Sequence, residues 1–252
     1  MQIRERSFLD ILDLALVVVR QKPVPIVLAA LVGAVPFAAL NAWLMGQEDF
    51  PVGLYPFLLV LEIPWATAPL TVVLGGLMFG ERPTAGRTIK SMWSSIVALA
   101  LFQGLLRGIL VITLVLTPLL PLRWAFLNEV ILLERGRWRS LLRRCSTICQ
   151  GREGDLFIQS MAQFFFGGLF VLAFWAGSMA LIQGLSTSEL TWQPAWSDLL
   201  GWRFHLAVWG AIEFFAIARF LNYIDHRIRL EGWEVELRVR AVARTLEEAG
   251  RW

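Results

Sequence analysis

Long apolar blocks constrain this chain more than any other feature of its sequence. A helix needs about 20 apolar residues to cross a hydrocarbon core roughly 30 Å thick. Blocks of at least about this length occur at residues 25–45, 57–79, 94–133, 156–182 and 204–222. The hydrophobic class makes up 57% of the chain and the charged class 17%, against roughly 45–50% and about 25% in an ordinary globular domain. We therefore expect an integral membrane protein, which excludes a soluble enzyme, a disordered chain and a disulfide scaffold.

The block at residues 94–133 is too long for a single span. Pro118 and Pro121 interrupt it, and proline cannot donate the hydrogen bond that continues a helix. We divide the block into a helix that ends near Thr117 and a shorter one over residues 122–133. The sequence thus predicts an all-α polytopic fold with six transmembrane helices in three hairpins.

The distribution of positive charge predicts the orientation of these helices. Short cytoplasmic loops are enriched in Lys and Arg. With six spans, all but three of the 23 Lys and Arg residues fall on the side that holds both termini, the exceptions being Arg107, Arg123 and Arg203. A wrong number of spans would scatter these charges over both sides. We therefore expect both termini in the cytoplasm.

Short amphipathic segments precede the helices that run outward from the cytoplasm. They lie at residues 6–13, 84–93 and 139–145, and in the first of them Ser7 and Asp10 fit an N-capping pattern. Such segments are typical of helices that lie in the membrane interface. The chain is then one membrane domain, 1–252, in three parts: an N-terminal interfacial helix (1–23), a six-helix bundle (24–222) and a cytoplasmic amphipathic tail (223–252).

Charged residues also occur within the predicted spans, where each costs at least about 2.5–3.5 kcal/mol unless it is paired or faces the bundle interior. Counting along each helix places four of them in the outer half of the membrane, and we expect them to form a cluster: Glu62, Arg107, Arg123 and Glu213. Glu129 is expected to lie deeper, nearer the cytoplasm. Three interpretations are open for the cluster. It is an ion-paired structural centre, a polar cavity for an anionic headgroup or solute, or a docking site for another membrane subunit.

No constellation of residues in the sequence predicts catalysis. Cys145 and Cys149 share one helix face, but they lie in a predicted cytoplasmic loop and lack a second pair of ligands, so we expect neither a disulfide nor a metal site. His205 and His226 fall on opposite sides of the membrane and cannot act as one acid–base pair. We find no phosphate-binding glycine loop and no nucleophile elbow, and we expect a protein that is not an enzyme and has no cofactor.

The C-terminal stretch alternates arginine with acidic residues too densely to lie in lipid. Its candidate partner-binding residues are Tyr223, Asp225, Arg227, Arg229, Glu231, Gly232, Trp233 and Glu236. Asp225 and Arg229 have the i,i+4 spacing of a helical ion pair. Gly232 is predicted to break or cap the helix, and the apolar residues after it recur at helical spacing and predict a final amphipathic helix.

The run Tyr-Ile-Asp-x-Arg-Ile-Arg-x-Glu-Gly-Trp-x-x-Glu over residues 223–236 resembles the tail of the glycerophosphoryl diester phosphodiesterase membrane-domain family. Residues 80–84 and 133–151 resemble loops of the same family. The resemblance implies a bacterial multi-pass protein of the inner membrane. It does not imply phosphodiesterase catalysis, because that activity resembles a soluble barrel with His and Glu residues around a metal, which we do not find in this sequence.

Two functions follow as expectations. The first is a non-enzymatic scaffold or anchor that binds another membrane or cytoplasmic protein at the cytoplasmic face through the charged tail. The alternative is a transporter or lipid-handling protein that uses the buried charges. In both, the basic loops are expected to contact anionic lipid headgroups. We expect no nucleic-acid binding, because the basic blocks coincide with membrane-proximal loops.

Overall fold

The computed structural model of the chain describes residues 7–47, 49–78, 80, 84–113, 119–134, 138–185 and 201–249. Within the helices it describes the side chains except those at 119, 138–139, 183, 231 and 233–249. Every regular element in these residues is a helix. The predicted all-α class is therefore confirmed.

Eleven helices, numbered in chain order, run through the described residues. They are α1 (Phe8–Gln21), α2 (Pro23–Met45), α3 (Tyr55–Ala66), α4 (Ala68–Met78), α5 (Ala85–Ala98), α6 (Arg107–Ile112), α7 (Leu119–Arg123), α8 (Leu127–Glu129), α9 (Trp138–Cys149), α10 (Glu153–Leu185) and α11 (Trp202–Ala249). A short 3₁₀ helix (Val52–Leu54) precedes α3, and π-helical stretches follow α5 (Leu99–Leu106) and α8 (Val130–Glu134).

Five helical stretches are long and apolar enough to cross a membrane. They are Pro23–Met45, Val52–Met78, Ala85–Ile112, Glu153–Ile182 and Trp202–Leu230. Each overlaps a predicted span, and the described chain therefore has the helices of a multi-pass membrane protein.

The fourth predicted span, residues 122–133, differs from the other five. The described chain has no single long helix there, and instead α7, a turn at residues 124–126, α8 and a π-helical stretch follow one another. The side chains from Phe126 to Leu132 are buried. Irregular backbone at membrane depth is tolerated where protein surrounds it, because its polar groups can then find partners inside the bundle. Residues 126–134 accordingly lie within the bundle, and we call them the interior segment.

Two of the longer stretches are interrupted near the centre of the bundle. The stretch Val52–Met78 breaks at Thr67, between α3 and α4, with Pro64 and Pro69 on either side. Neither proline can donate a backbone hydrogen bond, which explains a break at this point. The stretch Ala85–Ile112 passes through the π-helical turns between α5 and α6, a distortion that often marks functional sites.

The packing of α1 onto α11 ties the N-terminal helix to the bundle. Ile11 and Ala15 of α1 are buried in one apolar cluster with Ile217 and Phe220 of α11. At its start α1 has the predicted capping box, in which the Asp10 amide donates to Ser7 Oγ (3.2 Å) and the Ser7 amide donates to Asp10 Oδ2 (2.9 Å). The predicted N-cap is therefore confirmed.

Two predicted boundaries change. The segment at residues 84–93 forms the first turns of the long stretch Ala85–Ile112, so it is not a separate helix. The break predicted at Gly232 is wrong, because α11 continues without interruption to Ala249. Glycine in a helix interior costs only about 1 kcal/mol, which the helix-favouring residues around it outweigh.

Candidate functional site

A buried ion pair between α8 and α11 forms the centre of the candidate site. Arg219 Nε donates to Glu129 Oε1 at 2.7 Å, and the Glu129 side chain is 0% exposed. Arg219 Nη2 also donates to Thr67 Oγ1 at 3.3 Å. One arginine therefore links the last long helix to the interior segment and to the break between α3 and α4.

Thr67 connects the ion pair to the rest of the interior. Its Oγ1 donates to the Ile63 carbonyl (2.8 Å) and accepts from Asn128 Nδ2 (3.3 Å). Its carbonyl accepts from Thr71 Oγ1 at 3.0 Å. Thr67 is fully buried, so the break between α3 and α4 is closed by side-chain hydrogen bonds. We call Thr67, Asn128, Glu129 and Arg219 the buried centre.

Arg107 lies next to the buried centre without bonding to it. Its Nη1 donates to Gln103 Oε1 at 3.1 Å on the same helical stretch, and the charges of Arg219 and Glu129 both act on it. Its Nε is buried and has no acceptor among the described residues. Glu213 is also buried, its two carboxylate oxygens have no donor within the described part of the chain, and it lies within electrostatic range of Arg219.

The structure does not join the four residues of the predicted cluster to one another. Among the described side chains, no salt bridge links any two of Glu62, Arg107, Arg123 and Glu213. Glu62 is buried and accepts a hydrogen bond from Asn41 Nδ2 at 2.7 Å, and Arg123 is exposed on α7. Arg107 and Glu213 come nearest to a common site, because both lie within electrostatic range of Arg219.

Arg219 is the functional residue that sequence reasoning missed. It follows the apolar run 214–218 on the last long helix, and the distribution of positive charge predicts a cytoplasmic position for it. The sequence predicts that Glu129 lies nearer the cytoplasm than the four charges of the predicted cluster, so it does not predict a partner for Glu129. A signal is present in the sequence, since Arg219 lies between Ala218 and Phe220 and Glu129 directly precedes the apolar run 130–133, and a charge among apolar residues of a span needs a partner.

A second network fixes α11 further along its length. Tyr223 Oη donates to Glu134 Oε1 at 2.8 Å, and Arg144 on α9 binds the same carboxylate through Nε (2.8 Å) and Nη2 (3.4 Å). Arg227 Nη1 donates to Tyr223 Oη at 3.4 Å. We call Glu134, Arg144, Tyr223 and Arg227 the basal network. It uses one carboxylate to join the interior segment, α9 and α11.

Half of the predicted partner-binding residues are engaged inside the chain. Tyr223 is fully buried and belongs to the basal network with Arg227. Arg229 Nη2 lies 2.7 Å from Asp225 Oδ2, which confirms the predicted i,i+4 pair. Gly232 lies in the helix interior. The side chains of three further candidates lie outside the described residues: Glu231, Trp233 and Glu236.

The two histidines of the chain lie far apart on α11. His205 Nδ1 is 3.0 Å from Tyr55 Oη, whereas the His226 ring lies 5.2 Å from that of Phe126, measured between centroids. They are separated along the helix by about 31 Å at a rise of 1.5 Å per residue. One ligand or proton cannot be shared by both rings.

The two cysteines lie side by side on α9, buried and without a disulfide. A hydrogen bond from one thiol to the other, together with burial, raises the pKa of the Cys145 thiol. Both thiols also contact the backbone of the turn that precedes α8, at Phe126. Within the described residues no three potential metal ligands lie together, and the position of the thiols is that of packing groups beneath this turn.

No family model matches this chain, and neither does any curated protein or solved structure. The resemblance of residues 223–236 to the glycerophosphoryl diester phosphodiesterase membrane-domain family therefore stays a prediction.

Proposed function

We propose that the protein is a non-enzymatic scaffold of the bacterial inner membrane, which binds another protein at the cytoplasmic face through the end of α11. One observation carries the proposal. The apolar part of α11 ends near Asn222, after which charged residues alternate along the chain, but the helix continues to Ala249, and residues 231–249 alone add about 28 Å at a rise of 1.5 Å per residue. We call residues 231–249 the arm.

The base of the arm is held firmly by the bundle, which favours a binding role. The basal network ties α11 to two other elements, and the Asp225–Arg229 pair stiffens the last turns before the arm. The packing of α1 on α11 holds the same part of the helix from another side. A preorganised helix loses little conformational freedom on binding, so more of the contact energy is available for affinity.

The composition of the arm favours a protein as its ligand. The sequence places Trp233 among acidic and basic residues, with Glu231 and Glu236 nearby and three arginines further on. Such a mixture is costly in lipid, and tryptophan and arginine are enriched where protein interfaces have their strongest contacts. Because the first half of the signature is paired internally, we assign the binding of an external partner to the second half, which lies in the arm.

The same proposal includes six membrane crossings. Residues 119–134, which lie between the third and fourth long stretches, form the additional crossing as a series of short helical segments. The contact between Ile11 of α1 and Ile217 and Phe220 of α11 supports an even number. It brings the segment before the first span beside the C-terminal half of the last one. Five crossings would place the ends of these helices on opposite sides.

The scaffold proposal is tested by mild-detergent purification followed by identification of bound proteins. In the arm variant, Glu231→Lys and Glu236→Lys are combined, and the control is Asp49→Lys at an exposed position in the loop after α2. We expect a defined protein to copurify with the unmodified chain and with the control, and to be lost from the arm variant. The same proteins bound to all three forms would contradict the proposal.

A transporter or lipid-handling function is the second candidate, and the buried position of the Glu213 carboxyl group favours it. This carboxylate is buried without a donor in the described chain, next to a buried centre that already contains Arg219, with Arg107 close by. An ionisable side chain without a hydrogen-bond partner inside a membrane bundle is typical of a substrate or ion pathway.

Thiol labelling separates this candidate from a purely structural centre. In a background of Cys145→Ala and Cys149→Ala, a membrane-impermeant maleimide is applied to Glu213→Cys in membranes. Asp49→Cys, at an exposed site, serves as the positive control, and the fully buried Val130→Cys as the negative one. Labelling of Glu213→Cys at a rate near that of the positive control would support a water-filled pathway. A rate equal to that of Val130→Cys would exclude one in this state of the protein.

A further inference from the structure

An apolar groove of about 470 Å³ lies on the outer surface of the bundle, between α2, α4 and α5. Val24, Leu28 and Val32 of α2 form one wall at a spacing of one helical turn, and Ile89 of α5 lies in the opposite wall. These four side chains are exposed. The floor is closed by Pro69 and Val73 of α4, which are buried.

The dimensions of the groove fit a hydrocarbon chain. From Val24 to Val32 the wall is about 12 Å long, because each residue of a helix rises 1.5 Å. The volume lies within the range of roughly 300–1,000 Å³ that is usual for small-ligand sites. Its walls face the hydrocarbon of the bilayer, since α2 is a candidate span, so the molecule nearest to it is a lipid.

One end of the groove is basic. Lys22 immediately precedes α2, two residues before Val24 of the wall, and Arg20 lies in the last turn of α1. Both are exposed. Thr84 and Thr88, at the start of α5, also line the groove. Among the described residues that line the groove, none is acidic. An acyl chain with a phosphate at one end therefore matches the groove both in shape and in charge.

We propose that this groove is a specific site for an anionic phospholipid, with one acyl chain along α2 and the phosphate beside Lys22. This site goes beyond the scaffold function, because it lies on α2, α4 and α5 and involves no residue of the arm.

The test measures lipid binding to the full chain in detergent by native mass spectrometry. Phosphatidylglycerol and phosphatidylcholine with identical acyl chains are compared. We expect phosphatidylglycerol to bind more tightly, and Lys22→Gln to weaken it by about fivefold, the effect of one basic residue beside an anionic headgroup. Arg123→Gln removes an exposed arginine from α7 and should leave the affinity within about twofold. Equal affinity for the two lipids, or equal loss in the two variants, would overturn the proposal.

The groove itself is tested by filling it. Leu28 lines the groove and is 57% exposed, whereas Leu31 on the same helix is 51% exposed and is not part of the lining. Leu28→Trp should lower the occupancy by phosphatidylglycerol by about tenfold, since the indole occupies the space of the acyl chain. Leu31→Trp should leave it unchanged.

Val32→Trp and Val35→Trp are a second matched pair, since only Val32 lines the groove. They keep the test decisive should Leu28→Trp fail to fold. Equal binding by both members of a folded pair would contradict an acyl-chain site here. Protein partners are not measured in this experiment, so its failure would leave the scaffold proposal standing.

Discussion

At the scale of single residues, the Glu129 carboxylate depends on Arg219 for its place in the bundle. It is completely enclosed, and its Oε1 accepts a hydrogen bond from Arg219 Nε at 2.7 Å. Removing one member of a buried pair leaves the other charge without compensation, whereas removing both does not. This asymmetry distinguishes a buried pair from a surface pair.

We predict that Arg219→Gln lowers the free energy of unfolding by about 3–5 kcal/mol. The double variant Glu129→Gln and Arg219→Gln should be less destabilised than the sum of the single variants. Thermal unfolding in detergent measures both effects. Arg123→Gln is the matched control, because Arg123 is exposed and its loss should change stability by less than about 1 kcal/mol. Equal destabilisation by Arg219→Gln and the control would contradict the pairing.

The basal network gives a second prediction at this scale. Tyr223→Phe deletes the hydroxyl that donates to Glu134 at 2.8 Å, and hydrogen bonds to charged groups contribute about 1.5–3 kcal/mol. We expect a loss of that size in the same unfolding assay. In a Glu134→Gln background the loss should shrink, since the charge is gone. An unchanged loss would show that the hydroxyl acts through another contact.

The thiols provide a chemical test. Because its raised pKa leaves Cys145 mostly protonated at neutral pH, and the thiolate is the nucleophile, alkylation should be slow in the folded protein. In a Cys149→Ala variant, burial still opposes ionisation. We expect modification by iodoacetamide at pH 7.5 to be at least about tenfold slower than after denaturation in SDS. Equal rates before and after denaturation would mean that the thiol is not buried.

At the scale of helices, α2 and the break after α3 come into direct backbone contact. A side-chain carbon added at Gly33 would collide with the Ala66 carbonyl, which is backbone and cannot rotate away. At Gly75 the added carbon would meet only the end of the Leu133 side chain. Small residues allow such close approach between helices in membranes.

We therefore predict that Gly33→Ala destabilises the bundle by about 1–3 kcal/mol or more, as overpacking does elsewhere. Gly75→Ala should cost less, because Leu133 can change its rotamer. Gly168→Ala on α10, where nothing lies within 4 Å, should have little effect. The midpoint of thermal unfolding in detergent gives the order. Similar midpoints for the Gly33 and Gly168 variants would contradict the close approach.

The helices also show what the sequence could and could not predict. Length and hydropathy located the five long stretches within a few residues at most ends, because the bilayer sets their minimum length. The break at Thr67 had a signal in Pro64 and Pro69, which flank it. The π-helical turns at Leu99–Leu106 had none, since that run is apolar and contains no proline. For the charges, burial was predictable from apolar neighbours, but the choice of Arg219 as the partner of Glu129 depends on how the helices pack.

At the scale of the whole molecule, charge is concentrated at two depths along α11. The buried centre joins α11 to α8 at Glu129, and the basal network joins it to α9 at Arg144. Both networks reach the interior segment at residues 127–134. In this arrangement α11 is bonded to the rest of the bundle at two depths, and it continues into the arm.

The proposed six crossings give a prediction of topology. In a background of Cys145→Ala and Cys149→Ala, Gln21→Cys and Trp233→Cys should react with an impermeant maleimide only after the cytoplasmic side is opened, because α1 packs beside α11. Asp49→Cys should react in intact cells. Labelling of Gln21→Cys and Trp233→Cys from opposite sides would indicate an odd number of crossings and overturn the orientation.

The central claim is that the arm binds a protein, and photocrosslinking in living cells tests it most directly. A photoreactive amino acid replaces Trp233 in one version of the protein and Trp43, an exposed residue near the other end of the bundle, in the other. We predict a discrete protein adduct from position 233 that disappears when Glu231→Lys and Glu236→Lys are added, and no such adduct from position 43. Lipid adducts alone at position 233, or a protein adduct that persists in the arm variant, would contradict the account.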